Sequence, residues 1–253
     1  MKHLARFIPN LTVFAGSGAI RAIELAAGRL VSRYIGMSLY TWTAIIAVMM
    51  GGMSLGHYLG GKWADRYRAV PLLAVLFLCA GAACAALLPL NALLGEWSVL
   101  RALAWPPRIF LHALLCFFAP ALALGAISPV VAKLALDLDA RAGRAVGSVF
   151  AWGVAGSIAC TFLTGFYLVF LFNVSTLLLV AGGVLAALGL AYAAAWPMTA
   201  GTMPQPFALA SGERSGARLD LWLARLTVVI SNIAFMALER SEEHTSELQS
   251  RQS

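Results

Sequence analysis

Long apolar runs, each closed by a short polar or charged stretch, set the pattern of this chain. The runs lack the alternating polar face that a helix on a water-soluble core keeps toward solvent. A helix of about 20 apolar residues crosses the roughly 30 Å of bilayer hydrocarbon. The pattern predicts such helices over residues 9–32, 39–61, 70–94, 109–134, 144–172 and 174–196, and a seventh that begins near Leu221 and is cut short. Lipid offers no partner for backbone N–H and C=O groups, so each crossing segment must be helical. Between the sixth and seventh runs, residues 197–220 are rich in Pro, Gly, Ser and charge, the composition of an exposed linker.

The expected organisation is therefore all-α and polytopic. A six-helix transmembrane domain spans 1–196, a cytoplasmic linker 197–220, and the start of a truncated seventh helix 221–239. Residues 240–253 open with RSEEHTSELQS, abruptly polar in the middle of an apolar helix. This segment resembles the translation of a common sequencing-library adapter and is set aside as non-native. The ordinary alternative is a genuine polar tail.

Composition agrees with the pattern. Of 253 residues 61% are hydrophobic and 11% charged, and the mean hydropathy is +0.83. Soluble domains carry roughly 25% charged residues, so a water-soluble fold, disorder and a coiled coil are all excluded.

The net charge of +7, from 18 Lys and Arg against 11 Asp and Glu, would suggest nucleic acid in a soluble protein. Here the basic residues fall in the short loops. Eleven of them (Lys2, Arg6, Lys62, Arg66, Arg68, Lys133, Arg141, Arg144, Arg214, Arg218, Arg225) lie on one side, against three (Arg33, Arg101, Arg108) on the other. That asymmetry puts the N-terminus and the linker in the cytoplasm of a cell in whose inner or plasma membrane the chain resides. The expected partner is the lipid bilayer, and no nucleic acid is expected. The basic start, Met1 to Arg6, is like a signal peptide, but Arg21, Glu24 and Arg29 interrupt the run behind it, which suits a retained first span.

Candidate chemistry is sparse. Cys79, Cys84, Cys116 and Cys160 all lie in apolar stretches without metal-ligand spacing, as small packing residues do. His57 and His112 have no second ligand at helical spacing, so packing or interfacial roles outweigh a metal site. No catalytic constellation, metal site or cofactor motif is recognisable. Trp42, Trp63, Trp97 and Trp105 fall near span ends, where amphipathic rings anchor at the interface.

Gly52, Gly56 and Gly60 share one face of the second span. Without a Cβ they let another helix backbone approach, a main source of packing contacts between membrane helices. Gly143 and Gly147, followed by Ala151, Ala155 and Ala159, suggest the same device in the fifth span; a sliding surface in a moving transporter is the alternative. After the second span comes Gly60-Gly61-Lys62-Trp63-Ala64-Asp65-Arg66. In it Gly61, Asp65 and Arg66 resemble the Gly-x-x-x-Asp-Arg loop signature of the major facilitator superfamily, although Tyr67-Arg68-Ala69 lacks the glycine expected downstream. The glycines suit a tight exit from the span, and Asp65 suits a cap on the next helix.

A wider set of segments resembles the membrane half of spermidine-synthase-like proteins, of the major facilitator–spermidine synthase fusion type. These are Glu24 with Arg29, residues 36–42 (GMSLYTW), 54–61 (SLGHYLGG) through Asp65-Arg66, Ser128-Pro129, 143–147 (GRAVG), and Gly156-Ser157 with 161–166 (TFLTGF). The likeness covers about residues 10–172. It implies a major-facilitator-like half followed, in such proteins, by a soluble aminopropyltransferase-type domain. No strand–glycine-loop–helix unit for that domain is present, and Gly182, Gly183 and Gly189 lie within an apolar span. The chain is thus expected to have no aminopropyltransferase activity, its remaining partner being a missing C-terminal half or downstream soluble domain. The alternative is a fragment of a major-facilitator-like transporter of an unknown small substrate.

A weak repeat bears on what followed. Residues 11–24 match 226–239 at six of 14 positions, including Glu24 with Glu239, as if the seventh helix began a second repeat. The shared glutamate directs attention to the first span, where Arg21, Glu24 and Arg29 form a candidate intramembrane polar site. Charges at bilayer depth face a bundle interior or cavity. Arg21 and Glu24, three apart, share a helix face, whereas Arg29 points elsewhere and suits snorkelling to the outer interface. The pair serves either to fix packing or, through Glu24, as a cation or proton site.

Overall fold

A computed structural model describes residues 2–138, 141–199, 226, 227 and 230, leaving aside the side chains of 2–7, 198 and 199. The elements are α1 (Lys2–Ile35), α2 (Leu39–Arg66), α3 (Ala69–Glu96), the short α4 (Ser98–Arg101), α5 (Trp105–Leu138), α6 (Ala142–Leu163), a π-helical turn (Thr164–Leu168), α7 (Val169–Leu171) and α8 (Val174–Thr199). No strand occurs among the described residues. Six stretches are long and apolar enough to cross a bilayer: Ile8–Ile35, Leu39–Arg66, Ala69–Glu96, Trp105–Leu138, Ala142–Leu171 and Val174–Pro197. This is the architecture of a multi-pass membrane protein. The fifth stretch is continuous through the π turn.

Each apolar run of the sequence is one of these stretches, with bounds that differ at the ends. α2 does not stop at Gly61 but runs to Arg66, because Tyr67 N–H closes a last turn on Trp63 C=O at 2.8 Å. Asp65 therefore lies within that last turn and does not cap α3, whose N-cap residue is Arg68. α8 continues past Trp196 through Pro197 to Thr199. The expected linker beyond residue 199 and the polar tail lie outside the described residues. So does the expected seventh helix, of which only Leu226, Thr227 and Ile230 are described, each in helical conformation.

Local chemistry fixes the first reversal. Gly36 takes φ +83°, a left-handed conformation that L side chains rarely adopt, and its N–H bonds back to Ser32 C=O at 2.9 Å. Ser38 then caps α2, its Oγ accepting from Thr41 N–H at 3.2 Å.

Glycines bring the spans into backbone contact at three crossings. Gly56 of α2 leaves no room for a Cβ against Leu122 C=O of α5, and Gly60 none against Ala126. Gly156 of α6 is equally close to Phe14 C=O of α1. Gly81 of α3 and Gly182 of α8 face each other, a Cβ on Gly81 falling 2.9 Å from Gly182 O. With no hydrophobic force between helices in lipid, such close approach is what holds them.

The pairing of spans has an internal symmetry. α2 packs along α5 and α6 along α1; α3 packs on α5 and α8 on α1; α3 also meets α8, and α1 meets α5. Exchanging α1 with α5, α2 with α6 and α3 with α8 returns this same set of pairs. Hydrogen bonds follow the exchange. Asn91 of α3 bonds His112 of α5, as Tyr192 of α8 bonds Thr12 of α1. Lys133 of α5 donates to Ala64 C=O near the end of α2, as Arg29 of α1 donates to Val169 C=O near the end of the fifth stretch.

The outer surface is apolar. Leu39, Phe162, Phe166, Phe170 and Leu171 are among many large hydrophobic side chains that lie exposed, as hydrocarbon as solvent allows. The core is small-residue rich, with Ala26, Ala27, Ala80 and Ala126 fully enclosed beside Phe77 and Phe117.

Candidate functional site

The charged residues of α1 separate into two places. Arg21 Nη1 donates to Glu24 Oε2 at 2.7 Å, with side-chain exposures of 49% and 16%. One helical turn between them makes this pair, and the helix itself positions both. Arg29 is exposed and engaged elsewhere, donating from Nη1 to Val169 C=O at 3.3 Å. It sits at the carboxyl end of the fifth stretch, where a cation meets the free carbonyls and the negative end of the helix dipole.

Arg21 opens onto a cleft of about 430 Å³ between α1, α5 and α6. Its polar lining is Ser17 and Arg21 from α1, Ser128 from α5, and Ser157 and Thr161 from α6; Val149, Phe150 and Phe162 are among its apolar walls. Glu24 is not part of that lining. Thr161 commits its hydroxyl proton to Ser157 C=O at 2.7 Å, which leaves its lone pairs toward incoming donors. A smaller crevice lined by Ser17, Ile20, Leu124 and Ser128 adjoins the cleft through shared residues. Sequence reasoning singled out Arg21 as a charge in an apolar helix; Ser128, Ser157 and Thr161 entered only within the segments that carry the family resemblance and Ser17 not at all, and only the packing gathers them.

A second polar cluster ties α1, α3 and α5 together. Asn91 Nδ2 donates to Leu30 C=O at 3.1 Å, and its Oδ1 lies 2.8 Å from His112 Nε2, both side chains being buried. Thr12 and Tyr192 share a 2.7 Å hydroxyl contact, Thr12 also donating to Ile8 C=O at 2.7 Å. These are structural joints. His57 is exposed on α2. Among the described residues no group of three or more His, Cys, Asp or Glu side chains is placed to hold a metal ion. Cys84 and Cys116 are buried in the core, Cys160 is half-buried and Cys79 exposed, all as free thiols.

The remaining sequence candidates divide. Gly52, Gly56 and Gly60 are buried at the α2–α5 crossing. Gly61, Asp65 and Arg66 sit in the last turns of α2, where a Cβ on Gly61 would meet nothing and both charged side chains are exposed. Gly143 and Gly147 do not form the packing face expected of them. A Cβ at either would meet nothing, and Ala151, Ala155 and Ala159 are exposed. α6 instead turns Ala145, Val149, Gly153 and Gly156 inward. Gly153 lies against Val13 and Gly156 against Phe14, so the close contact with α1 selects a neighbouring stripe of the same helix.

Comparison with protein-family models, with curated proteins and with solved structures finds no match for this chain.

Proposed function

We propose that the chain is the integral membrane domain of a spermidine-synthase-like protein, built as a major-facilitator-like half. In this reading the N-terminus and the 197–220 linker are cytoplasmic, a seventh helix begins near Leu221, and the aminopropyltransferase domain lies outside the sequence. The exchange symmetry of the spans is the observation that carries the architectural part. Three spans per repeat is an odd number, so successive crossings leave the two repeats with opposite topology, the 3+3 inverted arrangement nested in each six-helix half of major facilitator proteins. The spermidine-synthase part rests on the residues that resemble that family. Some of them fall at structural joints: 36–42 at the first reversal, Gly56 and Gly60 at the α2–α5 crossing, Gly156 at the α6–α1 crossing, whereas Gly143 and Gly147 face outward.

A transporter fragment is the second reading, and the polar cleft around Arg21 favours it. The coding frame downstream of Glu239 in the source genome separates the two. A Rossmann-type domain with a glycine-rich loop supports the first, six further spans and nothing else support the second, and a stop codon directly after Glu239 removes both. Neither reading gives this chain alone a transferase site. Spermidine formed from putrescine and decarboxylated S-adenosylmethionine, above an empty-membrane control, would contradict it.

A further inference from the structure

We propose that the cleft between α1, α5 and α6 binds a small water-soluble monocarboxylate with an apolar body, its carboxylate held by Arg21 and its body lying against Val149, Phe150 and Phe162. The argument begins with depth. Arg21 is near the middle of the Ile8–Ile35 span, roughly 20 Å of helix from its start at 1.5 Å per residue. A guanidinium there does not face lipid tails without a large cost, yet half of its side chain is uncovered. Arg21 lines the cleft, and water reaching the cleft would hydrate that uncovered half.

The chemistry of the lining then selects the ligand. Among the described residues Arg21 is the only charged one in the lining. A guanidinium carries five N–H donors in a planar fork that matches a carboxylate bidentately, and the contact with Glu24 engages one nitrogen. A single guanidinium that already shares its charge with Glu24 is poorly matched to a phosphate dianion, whereas its unengaged N–H donors can still hold one carboxylate. Ser17, Ser128 and Ser157 add hydroxyls from three different helices. At about 430 Å³ the cleft falls within the roughly 300–1,000 Å³ of small-molecule sites, with mostly apolar walls and a few convergent polar groups. A polyamine meets a cation first, since Glu24 is turned away from this lining.

The test uses the whole 253-residue chain in nanodiscs of zwitterionic phosphatidylcholine, titrated with radiolabelled benzoate in equilibrium dialysis, with benzylamine as the isosteric cation. Expected are saturable benzoate binding at one site per chain and none of benzylamine. Arg21→Gln weakens benzoate at least tenfold, whereas Arg101→Gln, in the segment between α3 and α5, leaves it unchanged. Should Arg21→Gln fail to fold, Ser128→Ala and Ser157→Ala serve in its place, each weakening benzoate several-fold while the circular dichroism melt stays at its wild-type value. Absence of saturable benzoate binding, equal binding of benzylamine, full affinity in a folded Arg21→Gln, or, where that variant does not fold, full affinity in the serine variants overturns the proposal.

Discussion

The imidazole Nε2 of His112 lies 2.8 Å from the amide Oδ1 of Asn91, and both side chains are buried where α3 meets α5. Because Asn91 Nδ2 already donates to Leu30 C=O, Oδ1 is the acceptor and His112 carries its proton on Nε2. One amide thus joins three helices through two hydrogen bonds. Removing it leaves the His112 N–H and the Leu30 carbonyl without that partner. Asn91→Ala should lower stability in detergent by about 1–3 kcal/mol, the cost of an orphaned buried polar group. In a double-mutant cycle with His112→Phe the coupling should be near 0.6 kcal/mol and below about 1.7, the range measured between membrane helices. A coupling of zero in thermal unfolding would mean that the bond contributes nothing.

The three glycine crossings give a sharper contrast. Gly56 touches the α5 backbone itself, so even one methyl must push two helices apart. Gly56→Ala should destabilise by about 1–3 kcal/mol, as overpacking does. Gly147→Ala, in the interior of α6, has open space before it and should be neutral or stabilising by about 0.5–1 kcal/mol through helix propensity. Melting temperatures of the two variants, measured side by side, decide the matter; equal losses would mean that α2 and α5 are not in backbone contact.

That contrast also marks what the sequence made legible. Span positions were readable because hydropathy over about 20 residues is a local property, and the six apolar runs are six helices. Which stripe of a span packs is not local. The spacing of Gly52, Gly56 and Gly60 pointed to a face that α5 does cover, while the equally regular Gly143, Gly147 and Ala151 point outward. Small residues permit contact on any face, and only the partner helix chooses. Asp65 was misplaced for a related reason: glycines at positions 60 and 61 suggested an exit, but inside a helix held against α5 they continue the turn. The cleft was half legible. Arg21 and Glu24 announce themselves as charges in an apolar helix, whereas Ser17, Ser128 and Ser157 converge only through tertiary packing.

Orientation follows from charge and is open to direct measurement. Eleven basic residues on one side against three on the other predict a cytoplasmic α2–α3 turn and an outer α3–α5 connection. Arg66 and Arg101 are exposed and separated by α3 alone. In a background with the four cysteines replaced, Arg101→Cys should react with a membrane-impermeant maleimide in intact cells, and Arg66→Cys only after permeabilisation. The opposite pattern would reverse the topology, and labelling of both from one side would mean that α3 does not cross.

The Arg21–Glu24 pair bears on two roles that substitution can separate. As a packing device, the carboxylate keeps a guanidinium at bilayer depth from standing alone. Glu24→Gln removes the charge but keeps an oxygen that accepts from Arg21, whereas Glu24→Leu removes both. Folded yield should therefore fall in that order, the leucine variant losing at most the roughly 2.5–3.5 kcal/mol of an uncompensated charge at the centre of a span, since Arg21 stays half uncovered. As a cation site, Glu24 would have to meet an amine arriving through the cleft, but its side chain is mostly covered and Arg21 stands at the opening. Putrescine binding by the wild-type chain should accordingly remain at background. Saturable putrescine binding that disappears in Glu24→Gln at unchanged folded yield would make the carboxylate a cation site and displace the packing role.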